Sequence, residues 1–363
     1  MKHYTTWISA GLIIIVICCY PLWLSANERH TTPVKHTRKQ TEQLIQEHLL
    51  QTPIAFPARH RARIQRLIVE QIELGRKETE ITLGRAKLYF PVFEYFLGAY
   101  NLPDEFKYIP FVESRLRTQA RSTAGATGLW QFMEATGRQY QLIVNDFTDE
   151  RQNPVKSTEA AAQFLSDLLK RFDDSMLAIA AFNCGPGTVQ RAIRKAGSRD
   201  YWDVEPYLPQ QTQRYMPTLI AAMYVVQFGE LHGLSPKPYL PDNQDITVLR
   251  MRTALQCHEV AELGALPLQI VKKLNPGYPQ SPVAASRGTH YLLLPSPAAE
   301  ILQRQMPQQV LEFIPMTPAA EQADSIPETP IIETAHIGQL QRWFYLQIRV
   351  MQPSEELCAD DVS

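Results

Sequence analysis

From Leu102 to about Phe228 the chain carries helical patterning almost throughout, and strand-like alternation is scarce there. A run of that size must bury its apolar stripes against one another, so the domain it forms is expected to be all-α. Asn101-Leu102-Pro103 reads as a turn, with Pro103 at a first helical position and Asp104-Glu105 favouring the helix start. Ser157 is placed as the cap of a helix whose stripe is Ala161, Phe164, Leu165, Leu168 and Phe172. A helix through Met176, Ile179 and Ala180 breaks at Asn183-Cys184-Gly185-Pro186-Gly187. Another runs from Thr188 to Ala196 with Gly197 as its stop, and a last one carries Met216, Leu219, Ile220, Met223 and Val226. Upstream, Ile64, Leu67, Ile68, Ile72 and Leu74 recur near helical spacing, and Lys87 to Tyr100 is a helix opened by Tyr89-Phe90-Pro91.

The flanks differ in kind. No charged residue occurs from Trp7 to Ala26, and Trp7 to Ile17 reads as the core of a signal segment or a short membrane anchor. Leu24-Ser25-Ala26 offers a cleavage site; Cys18 invites a lipoprotein reading, but Ile17 stands where a small residue is wanted. The protein is therefore expected to be exported to the periplasm or cell envelope. Residues 27–40 are polar and aperiodic, a tether. After Gly233, Pro236, Pro238 and Pro241 form a linker into strand-like Ile246-Thr247-Val248-Leu249. A helix from Ala254 to Leu263, a helix from Leu268 to Leu274 and a strand from Tyr291 to Pro295 complete a β-α-α-β unit. Residues 315–333, rich in Pro, Thr and acids, read as a disordered linker. The expected division is 1–26 signal or anchor, 27–85 tether and helical extension, 86–235 main helical domain, 243–298 small module, and 299–363 tail.

Charge excludes more than it names. Among 363 residues, 36 Lys and Arg nearly cancel 37 Asp and Glu, and no basic block is interleaved with aromatics, so no nucleic-acid partner is expected. Five cysteines, at 18, 19, 184, 257 and 358, include no Cys-x-x-Cys pair, so neither a disulfide framework nor a metal or other cofactor is expected. Cys184 reads as a small buried residue rather than a nucleophile.

The chemistry points to Glu113, in Tyr108-Ile109-Pro110-Phe111-Val112-Glu113-Ser114 near a helix end. A lone glutamate among apolar neighbours has its charged form disfavoured and can hold a proton near neutral pH. No acid follows between Ser114 and Met133, while Arg115, Arg117 and Arg121 are present. Gly125-Ala126-Thr127-Gly128 has to be a close-packed turn. Leu129-Trp130-Gln131-Phe132-Met133 then offers apolar faces and an amide, as a saccharide cleft needs, although alone it equally suits a core helix.

Glu113-Ser114, Gly125 to Met133, Ala180 to Gly187 and Tyr207 to Tyr215 resemble, in order and spacing, the successive motifs of the soluble-lytic-transglycosylase domain, and Asp149-Glu150-Arg151 with Asn153-Pro154 strengthens the likeness. The resemblance covers roughly residues 86–230 and implies a lysozyme-like helical fold acting on peptidoglycan glycan strands. It implies that Glu113 protonates the oxygen between N-acetylmuramic acid and N-acetylglucosamine. The same carboxylate then takes the muramyl C6 proton and closes a 1,6-anhydro ring without water. By the same resemblance Ser114 orients Glu113, Gln131 and Met133 line sugar subsites, Asn183 and Tyr215 contact sugar or acid, and Gly185 and Gly187 admit close backbone approach. Phe182 stands where the family usually has Tyr, Cys184 at a small variable position, and Gln211 where it usually has Glu. Residues 243–296 resemble a degenerate LysM module, which implies binding to N-acetylglucosamine chains. Two alternatives remain: a lysozyme-type muramidase, which wants a second carboxylate to hold water, and a catalytically weak peptidoglycan-binding envelope protein.

Overall fold

Thr37 opens the first helix. Its hydroxyl accepts from the Gln40 backbone N–H while the Gln40 side chain accepts from the Thr37 N–H, a reciprocal cap that starts α1 (Arg38–His48). The expected tether thus ends by residue 37. The computed structural model describes residues 36–240, 245–278 and 290–316. The apolar run at 7–26, the lipoprotein cysteines, Cys358 and residues 317–333 lie outside them.

The helical stripes pack as their spacing requires. α2 (Ala58–Val69) buries Ile64 and Ile68, and a single π-type turn, Glu70–Leu74, buries Ile72 but leaves Leu74 exposed. α3 (Arg76–Ala99) continues through Pro91, where the sequence predicts a helix start. Proline removes one backbone donor, but this helix is apolar on nearly every side from Leu83 to Leu97, and burial of those side chains outweighs the lost bond. A 3-10 turn, Asp104–Tyr108, leads into α4 (Ile109–Ser114), and α5 (Glu134–Gln139) follows beyond a loop. α6 (Pro154–Phe172) is capped by Asn153, whose side chain accepts from the N–H groups of Val155 and Lys156. Ser157, expected as that cap, is buried one turn inside and donates to the Asn153 carbonyl. α7 (Ser175–Cys184), α8 (Pro186–Ala196) and the short α9 (Tyr201–Val204) precede α10 (Gln210–Phe228). α10 packs along α2, α7 and α4 at the centre of the domain.

The small module is larger than its sequence suggests. β1 (Ile246–Met251), α11 (Cys257–Leu263), α12 (Leu268–Leu274) and β2 (His290–Pro295) form the expected β-α-α-β unit. The chain continues through α13 (Ser296–Gln305) to β3 (Val310–Met316), past the boundary expected at 298 and into the stretch read as linker. The strands are antiparallel in the order β2-β1-β3, with Val248 opposite Leu293 and Ile314. One face of this sheet, with Val248, Tyr291, Leu293, Ile314 and Met316, joins the core of the helical domain. Its other face, with Leu249, Met251, Leu292 and Leu294, is covered by the module's own helices.

The turn after α12, which carries the LysM likeness, is not open to solvent. Leu274, Asn275 and Pro276 are buried, and the Asn275 side chain bridges the Val271 and Leu293 carbonyls and accepts from the Leu293 N–H. Gly277, at φ 71°, lies so close to the 149–153 loop that a Cβ there would sit 2.3 Å from the Asp149 carbonyl oxygen.

Candidate active site

Four segments that are far apart in sequence build the site. The first is the end of α4. Ser114, 3% exposed, donates to the Leu129 carbonyl at 2.9 Å, with the Pro110 carbonyl at 3.1 Å. Its hydroxyl is thus engaged by backbone: it ties the Glu113 helix to the next segment rather than reaching into the cleft. Arg115 and Leu116 then take left-handed backbone, φ 52° and 56°. Such geometry costs a non-glycine residue about 1 kcal/mol or more and persists only where the surroundings enforce it.

The second segment, 121–132, folds back on itself through bridges from Thr127 to Arg121 and Phe132. It is not a helix. Leu129, Trp130 and Phe132 turn inward as core, Trp130 fully buried with its indole N–H on Thr158 Oγ1 at 3.0 Å. Gln131, at φ 50°, is left facing the cleft. Its amide N–H group lies 2.8 Å from the Gly128 carbonyl and 3.3 Å from that of Ala120, which leaves its side-chain carbonyl free to accept. Gly128, at φ 89°, packs so tightly that a Cβ would fall 1.8 Å from the Arg151 carbonyl oxygen. Asp149 holds the Arg151 guanidinium at 2.7 and 2.8 Å, and that guanidinium in turn donates to the Gly125 and Phe132 carbonyls. The Asp149–Arg151 pair therefore fixes the loop that carries Gln131.

α7 and α10 close the other side. The Thr212 hydroxyl donates to Asn183 Oδ1 at 2.9 Å, which turns the Asn183 amide N–H group toward Glu113. Tyr215 lies one turn along the same face of α10. Its hydroxyl is buried and meets no partner in well-aligned geometry, yet the Glu113 carboxyl is close enough to interact with it. Because a hydroxyl proton rotates to suit, proximity matters more here than alignment.

Burial raises the Glu113 pKa, and the hydrogen bonds from Tyr215 and Asn183 oppose that rise without cancelling it. Glu113 as a whole residue is only half-buried, because it opens onto the cleft, but its carboxyl is enclosed. The cleft has a volume of about 580 Å³, and Glu113 is the one acid lining it among the described residues. A larger cavity of about 740 Å³, between α3, α10 and the sheet, contains neither Glu113 nor its partners.

The structure thus brings Glu113, Asn183 and Tyr215 together, with Ser114 and Gln131 beside them. Met133 is 46% exposed at the start of α5. Phe182 packs among Trp130, Phe132 and Phe164. The close approach expected at Gly185 is not made within the chain, since nothing lies within 4 Å of a Cβ placed there. Gln211 is exposed in the first turn of α10. Two contributors carried no role in the sequence reading: Thr212, and the Asp149–Arg151 pair. Thr212 is three residues before Tyr215, a helical spacing that could have marked it.

Residues 92–204 match the family model described as the Transglycosylase SLT domain, a span from α3 through α9 that takes in Glu113, Gln131 and Asn183. The mainly helical fold of this span accords with that match. It is 28% identical over 277 residues to membrane-bound lytic murein transglycosylase D of Escherichia coli K12, an alignment that covers 71% of this chain and 60% of that protein. It is 31% identical over 140 residues to the peptidoglycan transglycosylase gp16 of Escherichia phage T7, covering 37% of this chain and 10% of the phage protein. Among solved structures, the 70 kDa soluble lytic transglycosylase of Escherichia coli aligns over 40% of this chain and 26% of its own, at 19% identity and a TM-score of 0.34.

Proposed function

We propose that this protein is a lytic transglycosylase of peptidoglycan, cutting between N-acetylmuramic acid and N-acetylglucosamine with Glu113 as its single acid and base. The observation that carries this reading is one enclosed carboxyl whose pKa is raised by burial, beside the Asn183 amide and the Tyr215 hydroxyl, in a cleft with no second acid among the described residues. Glu113 gives its proton to the glycosidic oxygen as the C1–O4 bond breaks. Left as a carboxylate, it accepts hydrogen bonds from Asn183 and Tyr215. It then takes the proton of the C6 hydroxyl as O6 bonds to C1, which restores the acid and consumes no water. A hydrolase would need a second carboxylate to hold water, and the described residues that line this cleft supply none, which favours the lyase. Gln211 does not weaken the reading, because a carboxylate at that exposed position would be screened from the cleft.

The SLT domain and the names of the relatives support glycan strands as substrate. The same reading places the protein in the cell envelope, supported by the uncharged run at 7–26. Among the described residues no helix is long and apolar enough to cross a membrane. The small module serves the reaction as a brace for the 149–153 loop, a role supported by its buried turn at 274–277. The test is clearing of purified peptidoglycan by the wild type and by Glu113→Gln. Clearing by the wild type alone is the expected result; equal clearing by both overturns the assignment.

A further inference from the structure

One wall of the cleft is a strip of positive charge. The segment that follows Glu113 brings Arg117 and Arg121 to the lining, and α3 brings Arg85 beside them. Arg85 is positioned: it donates to the Arg115 carbonyl at 3.1 Å and is 3.8 Å from Glu78. Arg117 is tethered to the Ser114 carbonyl at 3.2 Å, next to the catalytic glutamate in sequence. Neither Arg117 nor Arg121 forms an ion pair among the described residues, and the stretch from Ser114 to Met133 holds no acid to offer one. Among the described residues the one acid in the lining is Glu113, which burial disposes to hold its proton. A cleft that reads neutral sugars through amides and hydroxyls does not need three guanidinium groups.

We propose that Arg85, Arg117 and Arg121 form a carboxylate subsite that engages the acidic substituent on O3 of the muramic acid ring, and so selects muramyl-containing strands over neutral amino-sugar polymers. This rests on the glycan-cleavage reading of the same cleft. Two chemistries present a carboxylate at that place: a stem peptide, or the free lactyl group of a strand without peptides. Guanidinium groups suit either, because their paired N–H donors match the two oxygens of a carboxylate.

The test measures binding to the Glu113→Gln protein, in which the ligand is not consumed. The probes are a peptide-bearing muropeptide tetrasaccharide, the same tetrasaccharide freed of its peptides, and chitotetraose, which has no acid. With the arginines intact, carboxylate-bearing probes bind at least about tenfold more tightly than chitotetraose, a preference that narrows with added salt. Adding Arg117→Gln and Arg121→Gln removes most of that preference, and Arg117→Lys with Arg121→Lys restores part of it. Preference for the peptide-bearing probe alone assigns the subsite to the stem; equal preference for both acids assigns it to the lactyl position. A preference that is absent at the start, or unchanged in the glutamine variants, overturns the proposal. Failure of the underlying reading looks different: the wild type then cleaves no strand, whatever the arginines bind.

Discussion

The Glu113 carboxyl, enclosed beside Asn183 and Tyr215, binds its proton more tightly in the folded protein than in the unfolded chain. The stability it lends is therefore complete below the unfolded pKa and is lost as pH rises through the folded one. Glu113→Gln removes that loss. Thermal melts should show the variant more stable than the wild type at mildly alkaline pH and equal to it in acid; equality at both would mean a solvated carboxyl. Cleavage by this variant should fall by about a hundredfold to ten-thousandfold. Tyr215→Phe deletes a donor that holds the Glu113 pKa down. The alkaline limb of kcat/KM should therefore move to higher pH even as the rate drops, and an unmoved limb would separate Tyr215 from the acid. The ordered motifs marked Glu113, Asn183 and Tyr215 as a group, and the structure brings them together. Thr212 and Asp149–Arg151 lie in motifs too, but their parts were not legible, because each acts through another residue and only the folded chain brings that residue near.

Among the elements, the helices of the larger domain were legible from period and punctuation, and the differences have definite physical causes. Pro91 reads as a helix start because proline usually cannot stay inside one, but burial of most of α3 from Leu83 to Leu97 overrides that local preference. Asn153-Pro154 was a better start signal than Ser157, since it pairs a capping side chain with proline at the first helical position. β3 was missed because Pro315 interrupts its pattern; as an edge strand it can dispense with that donor. Gly277 links this module to the site through Asp149. Gly277→Ala combines a left-handed φ with a backbone clash and should cost about 1–3 kcal/mol in denaturant unfolding. It should also lower kcat/KM by displacing the Asp149–Arg151 pair. Gly98→Ala, on open helix surface in α3, should instead be neutral or stabilise by up to about 1 kcal/mol. A silent Gly277→Ala would contradict the bracing role.

Across the described residues, the sheet shares one face with the helical core, and Tyr291 reaches Glu159 of α6 at 3.3 Å. Shared burial of this kind couples the two parts, so calorimetry should record a single unfolding transition for them. Two separated transitions would show the module to be an independent appendage. That brace and the Asp149–Arg151 pair hold the wall that faces the Glu113 carboxyl, and the account rests on that carboxyl working without water. The most direct measurement is the mass of the fragments released from purified peptidoglycan by the wild type. Anhydro-muramyl ends, each lighter by one water than a reducing end and absent with Glu113→Gln, are the predicted result. Reducing ends, or anhydro ends that persist in the variant, would contradict it.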